Sequence, residues 1–172
     1  MRRMIRHGGI IEDHWLHVAD DDALPEGDVI VTEARWHAER ETLLARDGCI
    51  GVRIHGDTDL SALAPDLDSL AVIALEFPAF KDGRCLSQAR LLRERFGYSG
   101  ELRAVGDVLR DQLAYMARVG IDAFEVRADR SLEDALRAFE EFSGHYQLNP
   151  VGRSPRELRR ERAAPARTAA AS

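Results

Sequence analysis

An α/β fold of about five strand–helix units on a parallel sheet is predicted by three observations. Apolar runs alternate with segments of helical period at intervals of about 20 to 30 residues, the signature of right-handed crossover units. The run Leu70–Leu75 is apolar without alternation, as a strand buried on both faces requires. Glu76-Phe77-Pro78 closes it, Lys81-Asp82-Gly83-Arg84 turns, and Cys85, Ala89, Leu92 and Phe96 then mark one face of a helix. Such units fit an open three-layer sheet with helices on both faces, the preferred arrangement. A half-barrel of the same units is the alternative, because periodicity does not separate flat sheets from curved ones. An eight-stranded βα barrel needs about 200 residues or more, which a chain of 172 residues excludes.

Each element follows in order. Met1 to Arg6 reads as loose, and Ile10 to Val18 as a short strand or hairpin containing Trp15. Asp20 to Gly27, with Pro25, is a polar connector. Val29–Val31 is a strand, and Ala34–Arg46 a helix carrying Trp36, Leu43 and Leu44, ended at Asp47-Gly48. Val52 and Ile54 mark the next strand, and Leu60–Leu67 a short helix interrupted by Pro65. Leu70–Phe77 is the central strand, and Leu86–Phe96 its helix, stopped at Gly97. Leu102–Val105 is a strand, Val108–Val119 a helix stopped at Gly120, and Phe124–Val126 the last strand. Leu132–Phe142 is the last helix, with Ser131 and Asp134 at capping-box spacing. The composition predicts one α/β domain over residues 1–146 and a disordered Arg/Ala/Pro-rich tail over 147–172.

Composition narrows the function classes. With 45 % hydrophobic and 31 % charged residues, the chain reads as a soluble globular protein. No stretch approaches the roughly 20 apolar residues of a membrane span, and the start MRRMIRHGG lacks an apolar region of secretory length. A cytoplasmic location is expected. Cys49 and Cys85 form no ligand pattern and read as buried thiols. The net charge is −6; the segment from Val151 onward holds six arginines and two glutamates, so the body before it carries −10. An acidic body argues against nucleic acid, and no metal site is expected, since His14 and His17 lack further ligands at metal spacing.

Ligands in such sheets collect beyond the carboxyl ends of the strands, and two loops there carry chemistry. In the first, Glu76 ends an apolar strand, where a raised pKa would suit it to acid/base catalysis. Lys81, the only lysine in the chain, with Gly83, Arg84 and Ser87, stands where helix amides are unpaired, a place for a small anion. The competing reading makes Asp82-Gly83 a turn with Asp82 near the helix cap, and pairs Arg84 with a carboxylate. The second loop is Val105-Gly106-Asp107-Val108. There Asp107 would cap a helix and Asp111 would stand one turn above it, either to hold a cation or hydroxylated ligand or simply to pair with Arg110 and Arg103. Cys85 is either a thiolate favoured by its helix N-terminus and Arg84 or the first core position of the helix, and the core reading is preferred. No flavin, nicotinamide, sirohaem or iron–sulfur signature is present, and two cysteines do not make a four-thiolate cluster. No cofactor is expected.

The stretch from Pro78 to Arg127 resembles the signature of a family of bacterial proteins, a domain of unknown function labelled as oxidoreductases of sulfite reduction. The matching residues are Glu76, Phe77, Pro78, Phe80, Asp82, Gly83, Arg84, Ser87, Leu92-Arg93, Gly100 to Ala104 and Gly106 to Val108. Glu12-Asp13 and Ala34-Arg35-Trp36 also look like the family, and Cys85-Leu86 departs from it. The resemblance implies an accessory role in assimilatory sulfite reduction, because family members are encoded beside sulfite reductase. It implies sulfite reductase or its electron donor as partner, with the chain serving as a binding or assembly module. The alternative is a small enzyme acting on an anionic substrate at the Glu76–Arg84 loop. An exposed apolar patch beside polar loops that merely cap helices is expected of the first, and a pocket where the loop side chains converge of the second.

Overall fold

The computed structural model of the chain describes residues 2–79 and 82–142; Lys81 and the 147–172 tail lie outside them. The element order is β1 (Arg2–Arg6), β2 (Gly9–Asp13), β3 (Leu16–Val18), β4 (Val29–Thr32), α1 (Glu33–Ala45), β5 (Ile50–Ile54) and α2 (Leu60–Leu63), the last continued by a 3-10 turn over Ala64–Ser69. There follow β6 (Val72–Phe77), α3 (Arg84–Glu94), β7 (Glu101–Gly106), a 3-10 turn at Arg110–Gln112, α4 (Leu113–Arg118), β8 (Ala123–Phe124) and α5 (Leu132–Phe142).

The strands form one mixed sheet in the order β2-β1-β8-β7-β6-β5-β4-β3. From β3 to β8 the strands are parallel and follow one another in chain order. Right-handed crossovers that never reverse direction put α1 to α4 on the same face, and α5 packs beside α4. The helices-on-both-faces arrangement is therefore not taken, since it needs a reversal in strand order, and the half-barrel is. The helix-side face supplies Val31, Val52, Ile73, Leu75, Leu102 and Phe124 to a core completed by Trp36 and Leu43 of α1, Ala89 and Leu92 of α3, Met116 of α4 and Phe139 of α5.

The curl has a simple covalent cause. Asp13 ends β2 at one edge and Leu16 opens β3 at the other, with only His14 and Trp15 between them. In a flat sheet of this order the edges would stand about 34 Å apart. Three Cα steps reach at most about 11 Å, so the sheet must bend until its edges meet at that end. Ile30, Val72, Ala74 and Val105 line the inner face and pack against Trp15.

Two expectations are corrected here. Arg2–Arg6 is not loose: it is β1, paired with β2 and β8, with Met4 and Ile5 fully buried. His7 and Gly8, with φ of 48° and 74°, make the tight turn that a two-residue hairpin needs. The helix expected over Val108–Val119 is confined to the 3-10 turn and α4. Gly106 takes φ +89°, and the Asp107 amide donates to the Phe77 carbonyl at 2.7 Å. The chain thus stays tied to β6 beyond the end of β7 before it can coil.

Candidate functional site

The loop between β6 and α3 is held by its own side chains. Asp82 accepts from the Arg84 amide at 3.2 Å, from Nε at 3.0 Å and from Nη2 at 2.8 Å. These bonds hold the Asp82 carboxyl down at about 2 and raise Arg84 above the ordinary arginine value. Arg84 therefore has its carboxylate within the turn, as the competing reading of this loop has it. Gly83 occupies the N-cap position of α3. Behind the turn, Gly56 packs so close that a Cβ there would lie 2.4 Å from Arg84 Cβ. Gln88 donates to the Gly56 and Thr58 carbonyls and locks the preceding strand-end loop onto α3.

Cys85 belongs to the core. Its thiol donates to the Glu76 carbonyl at 3.1 Å, and burial, with Asp82 adding to it, pushes its pKa up to about 12. Ser87 faces outward, into a surface groove of about 340 Å³ between α3 and α4, beside Leu86, Arg90, Leu91, Tyr115 and Val119.

Glu76 points to the inner face of the half-barrel. Its Oε2 lies 3.3 Å from Arg53 Nε and 3.7 Å from His55 Nδ1. Neither Oε2 nor the Arg53 Nε facing it is hydrogen-bonded. Parallel register explains the meeting: Ile54 is opposite Leu75, so His55 and Glu76 leave adjacent strands side by side. Sequence reasoning placed Glu76 with Arg84; the structure places it with Arg53 and His55 and leaves Arg84 to Asp82.

Deeper on the same face lies a buried ionic network centred on Arg103, which is 1 % exposed. Its Nε donates to Glu101 at 2.8 Å, and its Nη1 lies 3.1 Å from both Asp13 and Glu125. Arg6 meets Glu101 at 3.0 Å, Arg2 meets Asp13 at 2.8 Å and Glu125 at 3.1 Å, and His17 meets Glu125 at 2.9 Å. Burial alone would lower the Arg103 pKa; Glu101, Asp13 and Glu125 more than restore it. A cavity of about 190 Å³ at the amino ends of the strands is lined by Arg6, Asp13, Trp15, Glu101 and Arg103. The signal for this network lies in β7: Glu101 and Arg103 alternate with Leu102 and Ala104 in a strand flanked on both sides, and such alternation marks one face of the strand as polar.

The second expected loop is dispersed. Arg103 turns inward, and Asp107 pairs with Arg127 at 2.9 Å. Asp107 caps nothing, because the 3-10 turn begins at Arg110. Asp111 and Asp107 therefore share no helical face, and Asp111 lines a separate surface cavity with Arg110, Arg130 and Asp134. Gly106 is required where it stands, since a Cβ would lie 2.5 Å from the Phe77 carbonyl oxygen. Among the described residues, no group of three or more His, Cys, Asp or Glu is placed to hold a metal ion, and no helix is long and apolar enough to cross a membrane.

A family model described as "Bacterial protein of unknown function (DUF934)" matches residues 51–156, more than half of the chain. The match takes in β5 to α5 and so includes the Arg53–His55–Glu76 meeting and the α3–α4 groove. The Asp13, His17, Arg2 and Arg6 side of the ionic network precedes it. No curated protein matches the chain.

Proposed function

The chain belongs to this bacterial family of unknown function, and from that premise we propose that it is a cytoplasmic accessory protein of assimilatory sulfite reduction. In this reading it is a binding or assembly module that docks on sulfite reductase or on its electron donor. The link to sulfite reduction comes from the resemblance of the Glu76–Val108 motif. The docking mode is supported by one structural contrast. The polar turn is closed on itself, Asp82 to Arg84, while Leu91 and Tyr115 stand 41 % and 50 % exposed on the neighbouring helix surfaces. Side chains that cap a helix beside an open apolar surface suit a module that holds a partner. The test is growth of a deletion strain: it should fail on sulfate and on sulfite and recover with cysteine or sulfide. Growth on sulfite without the gene would remove the accessory role.

A second reading, a small enzyme acting on an anionic substrate, is favoured by the pair Arg53–Glu76. Two buried polar atoms lie 3.3 Å apart, neither hydrogen-bonded, with His55 alongside at the strand ends, an arrangement that would suit acid/base work by Glu76. In this reading Arg53 and His55 would hold the anion and Glu76 would move the proton, while Arg84 stays with Asp82 and Ser87 faces the α3–α4 groove.

A further inference from the structure

We infer that the groove between α3 and α4 is the docking surface for an acidic protein segment that presents one or two apolar side chains; this rests on the docking reading above and assigns it a surface and a partner chemistry. Leu91 and Tyr115, two of the four large hydrophobic residues exposed among those described, line the same groove. With Leu86, Ser87, Arg90 and Val119 they enclose about 340 Å³. That volume is at the bottom of the range for small-molecule pockets, about 300–1,000 Å³, and among the described residues Arg90 is the one charged side chain in its wall. A groove walled by Leu86, Leu91, Tyr115 and Val119, with Arg90 beside them, suits an inserted apolar side chain flanked by an acidic one.

Charge selects the occupant. The chain carries −6 overall, yet α3 and α4 carry Arg84, Arg90, Arg93 and Arg118 against Glu94 alone. Arg84 is engaged by Asp82, and Arg93 by Asp122 and the carbonyls of Tyr98, Gly100 and Gly120. Arg90 and Arg118 remain at the surface, Arg90 in a loose contact with Glu94 at 4.0 Å, a kind of pair that holds weakly. An acidic partner is repelled by the body of the protein and drawn to this face, which steers its approach. A second copy fits less well. A two-fold contact would set Arg90 and Arg118 against the same arginines of the other copy, between two bodies of like charge.

The experiment is calorimetric titration of the full chain with purified sulfite reductase and, separately, with its electron donor, at low and at high salt. Arg90→Glu, Leu91→Asp and Tyr115→Ser are each titrated beside the wild type, with thermal melting as a control of folding. All three positions are exposed, so the variants should melt near the wild type. Binding of one partner, weakened by salt and weakened about tenfold or more by each substitution, is the expected result. Binding that the substitutions leave unchanged would overturn the groove and leave the accessory role standing. Binding to neither partner would overturn both. A dimer in sedimentation that Leu91→Asp dissolves would also overturn the inference, by making a second copy the occupant.

Discussion

Nε2 of His17 lies 2.9 Å from Oε1 of Glu125, although β3 forms one edge of the sheet and β8 is five places away from it. In a flat sheet they would stand about 24 Å apart. The contact exists because the sheet curls, and it helps to hold the curl. Glu125 also takes Arg103 and Arg2, so this one carboxylate ties an edge strand to the centre of the inner face.

Acid should loosen this tie. Burial would raise the Glu125 pKa, but the His17 hydrogen bond and the charges of His17, Arg103 and Arg2 outweigh it and lower the pKa below the ordinary glutamate value of 4.5. The unfolded chain therefore takes the proton first. Stability from this group is present above that value and is lost as pH falls through the folded pKa. The denaturation midpoint in urea, followed from pH 7 downward, should decline below about 4.5, and Glu125→Gln should start lower at pH 7 and decline less. An acid slope unchanged in Glu125→Gln would assign it to other carboxylates.

The strands from Val29 to Phe77 were readable because burial on both faces leaves runs such as Leu70–Leu75, which turn and capping residues then bound. β1 was not, because Arg2 and Arg6 turn toward carboxylates supplied by positions 13, 101 and 125, which no local pattern announces. The one-sided placing of the helices follows from strand order, a non-local property. Glu76 was recognised as a polar end to an apolar strand, but its partners were not. Arg53 and His55 meet it through the register of β5 on β6, which the sequence does not state. The Asp82-Gly83 turn is legible in the sequence, but which carboxylate takes Arg84 is not; the structure supplies Asp82, two residues away.

Arg103→Met should be severely destabilising. The substitution leaves Asp13, Glu101 and Glu125 around an uncharged side chain, with Arg2 and Arg6 as their remaining arginines. Removing one partner from a buried ionic cluster costs about 3–5 kcal/mol, which chemical denaturation at neutral pH measures. A loss under about 1 kcal/mol, the scale of an exposed pair, would show that the inner face is open to water.

Cys85 should be inert in the folded protein. Its thiol is 1 % exposed and titrates near 12, so at pH 7 it is neither ionised nor reachable. In a Cys49→Ser background, modification by a thiol reagent should proceed only as fast as the protein unfolds, and should accelerate with denaturant. Prompt modification of the native variant at pH 7 would contradict the core placement and reopen thiolate chemistry at the start of α3.

Glu76→Gln and Arg84→Ala together separate the two functional readings. Arg84 pairs with Asp82 at the surface, so its removal should leave the denaturation midpoint close to the wild type. Glu76→Gln keeps the shape of the side chain but removes the charge that faces Arg53 and the capacity to move a proton. If the chain is a docking module acting through the α3–α4 groove, both variants should restore growth of a deletion strain without cysteine, because neither side chain lines that groove. If it is an enzyme acting at the strand ends, Glu76→Gln should fold and fail to restore growth, and Arg53→Met should fail with it. Purified Glu76→Gln must melt near the wild type for that failure to count as chemistry. A stable Glu76→Gln that supports growth at the wild-type rate removes the carboxylate from any reaction and leaves docking as the function.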